Sequence, residues 1–273
     1  MADDQMLFDW ADEPGKPESG GGTAPPSPLP GIQPLAEKLR SLAKKNIFLG
    51  TSSWKYPGWL GRVYDPARYQ TRGKLSNTKF ERDCLREYAS IFPTVGGDFA
   101  FYQFPSESFW ESLFDQVPTG FKLSLKIPED ITVERFPDLP RYGKRAGKQN
   151  PEFMNAGVLK QMLLDRLAPY RDKLGVLMFE FGAIHKGPMS EPPRFASALG
   201  DMLSELPTSE IDFAVEIRNP EFLAPDSGYF DSLGRHGVAH CFNSWTRMPP
   251  VEEQMASAGA FSAPHVAARF LLR

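Results

Sequence analysis

Apolar positions along the chain change period several times, and each change marks a new element. Between 80 and 92, Phe80, Cys84, Leu85, Tyr88 and Phe92 recur at helical spacing. Between 211 and 219 the period falls to two: Phe213, Val215 and Ile217 take one face, and Ala214, Glu216 and Arg218 the other. Read this way, the chain offers candidate strands at 47–54, 94–104, 121–127, 174–181, 211–219, 238–245 and 265–272. Candidate helices at 80–92, 109–117, 158–169 and 194–206, and a short one at 228–234, fall between them. An earlier helix is expected from Pro34, with proline in its first turn and lysines in its last. Strands alternating with helices predict an α/β fold, a parallel sheet with helices outside. Seven such units favour a TIM-type barrel over an open sheet.

Ahead of Pro34 the pattern disappears. Proline, glycine and serine dominate 11–34, and too few apolar residues are present to offset chain entropy. Residues 1–33 are therefore expected to form a disordered acidic tail, and 34–273 the barrel domain. One apolar island, Gln5-Met6-Leu7-Phe8-Asp9-Trp10, has the makings of a short docking peptide, although short matches of this kind are common by chance. Net charge is −3 over 273 residues, which does not advertise a polyanionic partner. The tail carries six acids and one base, which leaves +2 for the rest. Two cysteines, Cys84 and Cys241, make no disulfide framework and fit a reducing compartment. No leader pattern and no long apolar run is present, so a cytoplasmic location away from membranes is expected.

Charge on the strand faces is the first hint of chemistry. If Phe213, Val215 and Ile217 lie beneath helices, Glu216 and Arg218 point the other way, near the strand's C-terminal end. The same reasoning sends Lys126 inward from 121–127, Asp98 from 94–104, Glu180 from 174–181 and Arg269 from 265–272. An isolated buried charge costs several kcal/mol even after relaxation, so these three acids and three bases must pair or meet a solvated mouth. They could serve only as an internal salt-bridge network. They could equally form a site at the C-terminal mouth, where TIM-barrel enzymes keep their catalytic groups. In the second case Glu216 is the candidate general acid or base, Arg218 its orienting partner and Asp98 a second carboxylate. Lys126 and Arg269 would bind an anion, beside Trp54, Tyr56, Tyr102 and Trp245 as stacking surfaces.

Other candidates are weaker. His185 and His240, with Glu180, Glu216 and Asp98, could supply nitrogen and oxygen ligands, but no tight metal motif is present. Cys241 has no visible activating neighbour. No P-loop or nucleophile elbow occurs, so the sequence calls for neither a metal nor a cofactor. The loop Arg141-Tyr-Gly-Lys-Arg-Ala-Gly-Lys148 carries four bases and no acid; it is either a solvated loop or a clamp for phosphate or a nucleic-acid backbone.

Several segments together resemble the YecE-like family, also called domain of unknown function seventy-two. They are Gly50-Thr-Ser-Ser-Trp-Lys-Tyr56, Phe92-Pro-Thr-Val-Gly-Gly-Asp-Phe-Ala-Phe-Tyr102, 121–128 with Ile131-Thr132, and Val215-Glu-Ile-Arg-Asn-Pro220. The resemblance covers about 47–273. It implies a TIM-type barrel, and it implies no particular reaction. Matching positions are Trp54, Tyr56, Phe101, Tyr102, Lys126, Glu216, Arg218 and Arg269. Where the family usually reads Val-Glu-Ile-Asn this chain has Val95-Gly-Gly-Asp98, and a common histidine is Val133 here. The family's last strand is not found before Arg273, so the barrel is expected to be incomplete at its C-terminus. The functional expectation is an acid/base hydrolase- or isomerase-type enzyme acting on an anionic sugar-phosphate, nucleotide or phosphodiester. The alternatives are a non-catalytic metabolite- or nucleic-acid-binding protein and an inactive truncated relative.

Overall fold

The computed structural model describes residues 26–101 and 104–270. The apolar island at 5–10 and most of the expected tail lie outside the described residues. The fold is α/β, and the chain divides into two compact units, Met1–Phe99 with Pro105–Lys122, and Ala100–Phe104 with Leu123–Arg273.

Unit 1 begins with α1 (Gln33–Ala43), followed by a two-stranded hairpin of β1 (Gln70–Thr71) and β2 (Lys74–Leu75). Then come α2 (Asn77–Tyr88), β3 (Thr94–Gly97) and α3 (Glu107–Phe114). Ser76 caps α2 by accepting from the Lys79 amide at 3.3 Å, which satisfies a donor the helix cannot. Phe80, Cys84, Leu85 and Tyr88 are buried, as their spacing predicts. Phe80 meets Tyr64 and Tyr69 edge-to-face, each at 5.1 Å.

Two expected strands of this unit fall short. No ladder forms over 47–54; a single bridge joins Thr51 to Val95. A side chain distant in sequence intervenes: the Thr51 amide donates to the Tyr88 hydroxyl at 3.0 Å, and that hydroxyl donates to the Thr94 carbonyl at 3.0 Å. A side chain thus occupies the place of a strand neighbour. Gly50 is needed here, because a Cβ would lie 2.0 Å from the Thr94 carbonyl oxygen. The strand expected over 94–104 ends at Gly97, where two successive glycines weaken the extended backbone and the Phe99 ring folds over Gly97.

Unit 2 holds β4 (Lys122–Lys126, whose first residue belongs to unit 1), a short α4 (Glu129–Thr132) and α5 (Ala156–Leu159). The last runs through a π-helical turn at Lys160–Leu164 into α6 (Asp165–Leu167). After these come β5 (Leu174–Phe181), α7 (Pro192–Ser204), β6 (Phe213–Ile217), α8 (Tyr229–Arg235), β7 (Ala239–Asn243), α9 (Val251–Ala256) and β8 (Ala267–Arg269). Strands β4 to β8 are parallel and adjacent in chain order. Among the described residues β8 pairs with β7 alone, so no closed ring of strands is formed.

The two faces of these strands differ as alternation predicts. On one, Phe179 stacks on Phe213 at 5.7 Å, and Phe181 meets Phe195 of α7 at 5.1 Å. That face is buried beneath helices. The other is floored by small residues, Ala214, Ala239 and Cys241, with Val176, Met178 and Ala267 packed against them. Above that floor, towards the C-terminal strand ends, the side chains become charged.

Candidate functional site

Register puts the charges together. Glu180 of β5 pairs with Glu216 of β6, and Asn243 of β7 with Arg269 of β8. Two carboxylates on neighbouring strands repel unless cations intervene. Arg269 intervenes directly: its Nη1 donates to Glu180 Oε2 and to Glu216 Oε2, each at 2.6 Å. Arg218 donates from Nη2 to Glu180 Oε1 at 2.8 Å and reaches Glu216 from Nε at 3.5 Å. Lys126 Nζ lies 3.0 Å from Glu180 Oε2. All five side chains are buried to half-buried, from 3 % exposed at Glu216 to 19 % at Arg269. Burial alone would raise the Glu180 carboxyl, but Lys126, Arg218 and Arg269 outweigh it and hold the group down at about 2. The same pairing raises Arg269 against its own desolvation. Aromatic rings back two of the cations: Trp245 lies 4.0 Å from the Arg218 guanidinium, and Phe101 5.1 Å from Lys126.

Of the residues expected from sequence, Lys126, Glu180, Glu216, Arg218, Arg269 and Trp245 therefore form one cluster in unit 2. Asp98 and the aromatics Trp54 and Tyr56 belong to unit 1. Asp98 is half-buried and follows Gly97, the last residue of β3. Trp54 is buried against Phe99 at 5.5 Å, and its carbonyl accepts from the Tyr64 hydroxyl. Tyr56 is exposed beside Trp59. Tyr102 lies outside the described residues.

His240 is a buried packing residue. Its Nε2 faces Gln254 Oε1 at 3.3 Å and its Nδ1 faces the Tyr229 hydroxyl at 3.0 Å. Because Gln254 spends its amide nitrogen on two carbonyls, its oxygen must accept, so Nε2 carries the imidazole proton. Burial lowers the imidazole to about 4, and the ring is neutral at ordinary pH. Among the described residues no three His, Cys, Asp or Glu side chains gather as metal ligands would. Burial pushes the Cys241 thiol well up. In the basic loop, Arg141 donates to the Tyr142 hydroxyl and Arg145 pairs with Asp130, so two of its four bases have local partners.

Sequence reasoning missed Gln254, on the short helix α9. It is fully buried and uses every hydrogen-bonding capacity it has. Its oxygen accepts from His240 and from the Asn243 amide at 3.2 Å; its nitrogen donates to the Asn243 and Pro249 carbonyls at 2.8 and 2.7 Å. Asn243 in turn accepts from the Trp245 amide at 3.2 Å. Gln254 thereby fixes the loop that carries Trp245 to Arg218. A glutamine following two glutamates in a short segment gives no warning of this role.

A family model described as protein of unknown function DUF72 matches residues 48–273. The chain belongs to the DUF72 family. Solved DUF72 proteins are similar to it in structure. One from Thermotoga maritima MSB8 has a TM-score of 0.50 and 19 % identity, over 82 % of this chain and 73 % of that one. One from Enterococcus faecalis V583, in its 2.52 Å structure, has a TM-score of 0.49 and 17 % identity, over 70 % of each chain. In the 3.10 Å structure of an E. faecalis V583 family protein the TM-score is 0.48 at 17 % identity, over 68 % of this chain, and this chain spans 62 % of that one. Among curated proteins none matches. No helix of this DUF72 chain, among the described residues, is long and apolar enough to cross a membrane.

Proposed function

We propose that this DUF72 protein binds an anionic metabolite at the C-terminal mouth of a TIM-type barrel, through Lys126, Arg218 and Arg269. One observation carries the reading: three cations face two carboxylates towards the C-terminal strand ends, with donor groups partly open to solvent. A purely structural network has no use for an unmatched, half-buried cation, because desolvating it goes uncompensated. Ligands of the expected kind, a sugar-phosphate, a nucleotide or a phosphodiester, supply the missing negative charge. Trp245 and Phe101 back the cations rather than the ligand, so their part is to hold guanidinium and ammonium in place.

A second reading makes the same site catalytic, with Glu216 moving a proton. Glu180 is unsuited to that work, since three cations keep it ionised. Glu216 has one close partner, Arg269, and one distant one, Arg218. A ligand that draws Arg269 away would leave Glu216 able to accept a proton. The experiment separating the readings is calorimetric titration of the full chain with phosphate esters, beside the Lys126→Gln and Glu216→Gln variants. Binding lost in Lys126→Gln and kept in wild type supports the anion site. Turnover of a bound ester, abolished in Glu216→Gln with binding retained, supports catalysis. A wild-type chain that binds no anion in the millimolar range removes both.

A further inference from the structure

The cluster's charge count says more than that it takes an anion. We infer that its ligand presents a single negative charge, as a carboxylate or a phosphodiester does, and that a doubly charged phosphate monoester is disfavoured. This rests on the anion-site reading above and narrows it.

Lys126, Arg218 and Arg269 bring three positive charges from β4, from the residue after β6, and from β8. Glu180 and Glu216, on β5 and β6, return two. The β7 residue between β6 and β8 on this face, Cys241, adds none, because burial keeps its thiol protonated. His240 points to the other face and is neutral. The network's residual charge is therefore +1, and it is spread over side chains no more than 19 % exposed. At that burial an uncompensated charge is costly in either sign. A monoanion brings the site to neutrality; a dianion replaces an unmatched cation by an unmatched anion.

Donor geometry points the same way. Arg269 spends Nη1 on both carboxylates, and Arg218 spends Nη2 on Glu180. The Arg269 Nε and Nη2 and the Arg218 Nη1 have no partner among the described residues, and Lys126 has one ion-pair partner, Glu180, for three N–H bonds. These donors suffice for two or three oxygens of one compact group, as in a carboxylate or the two unesterified oxygens of a phosphodiester.

The test titrates the ligand rather than the protein. Methyl phosphate passes from monoanion to dianion near pH 6, whereas dimethyl phosphate and acetate stay singly charged from pH 5.5 to 8. Across that window Glu180, held at about 2, stays ionised. Calorimetry on the full chain is expected to give a dimethyl phosphate Kd constant over this range. Methyl phosphate is expected to weaken by roughly tenfold as it gains its second charge. Acetate shows which source the site prefers: binding as tight as dimethyl phosphate, or tighter, assigns a carboxylate ligand, and weaker binding a phosphodiester. Methyl phosphate that tightens with pH overturns the single-charge inference and leaves the anion site standing. No binding of any of the three overturns both. Glu216→Gln raises the residual charge to +2 and is expected to reverse the methyl phosphate trend. If that variant does not fold, the wild-type pH series decides alone.

Discussion

Glu87 in unit 1 and Glu180 in unit 2 are the same residue type, with side chains 1 % and 9 % exposed, and their carboxyls shift in opposite directions. Burial raises Glu87 despite the Tyr69 hydroxyl at 2.7 Å, the Asp65 amide at 3.1 Å and Arg68 at 3.3 Å, whose own side chain is largely solvated. Glu180 suffers the same desolvation and is nevertheless held at about 2, because cations reach it from three segments and are themselves half-buried or better. Burial sets the penalty for a charge; the number of desolvated partners decides whether the charge survives it. The first arrangement closes a core. The second leaves charge over, and charge left over can bind something.

The comparison breaks most visibly in Glu180→Gln. Three cations would then face one carboxylate, and unfolding by urea is expected to show a loss of about 3–5 kcal/mol. Next comes Gln254→Ala, which strands the His240 Nε2–H and both backbone groups of Asn243 and is expected to cost about 2–3 kcal/mol in the same assay. Glu87→Gln should cost only about 1 kcal/mol, since the amide oxygen still accepts from the Asp65 amide and the amide nitrogen donates to the Tyr69 hydroxyl oxygen in place of the lost bond. Equal losses in the two glutamate variants would sink the contrast.

Acidity sharpens it further, because the two carboxyls carry opposite signs. Glu180 lies below its ordinary 4.5 in the folded state, so its stabilisation is present above that value and is lost as pH falls towards about 2. Glu87 lies above 4.5, so the folded form binds the extra proton and its contribution declines as pH rises past 4.5. Unfolding free energies between pH 2.5 and 6.5 should therefore show the cost of Glu180→Gln growing with pH and that of Glu87→Gln shrinking. The smallest effect is expected from Trp245→Ala: less than about 1 kcal/mol of stability, with the change appearing in dimethyl phosphate affinity as Arg218 loses its backing ring.

Much of unit 2's charged cluster was legible because strand alternation needs no tertiary information. Once Phe213, Val215 and Ile217 are assigned to a covered face, Glu216 has one direction left, and Glu180, Lys126 and Arg269 follow by the same rule. Asp98 lies just past the strand, which ends at Gly97, so alternation alone does not fix its direction. The strand at 47–54 was lost to a long-range side chain, Tyr88, which no local pattern reports. Glu87 and Gln254 were illegible for a shared reason: each is a polar residue in a polar stretch, and burial comes from partners distant in sequence.

The small-residue floor of Ala214, Ala239 and Cys241 separates packing from charge on this face of the sheet. The charges are fixed at the strand ends by their mutual pairing, while the packing beneath them is fixed by small groups that carry no charge. Exchanging one of those groups for a bulkier aliphatic would strain the packing beneath the cluster without altering its charge count.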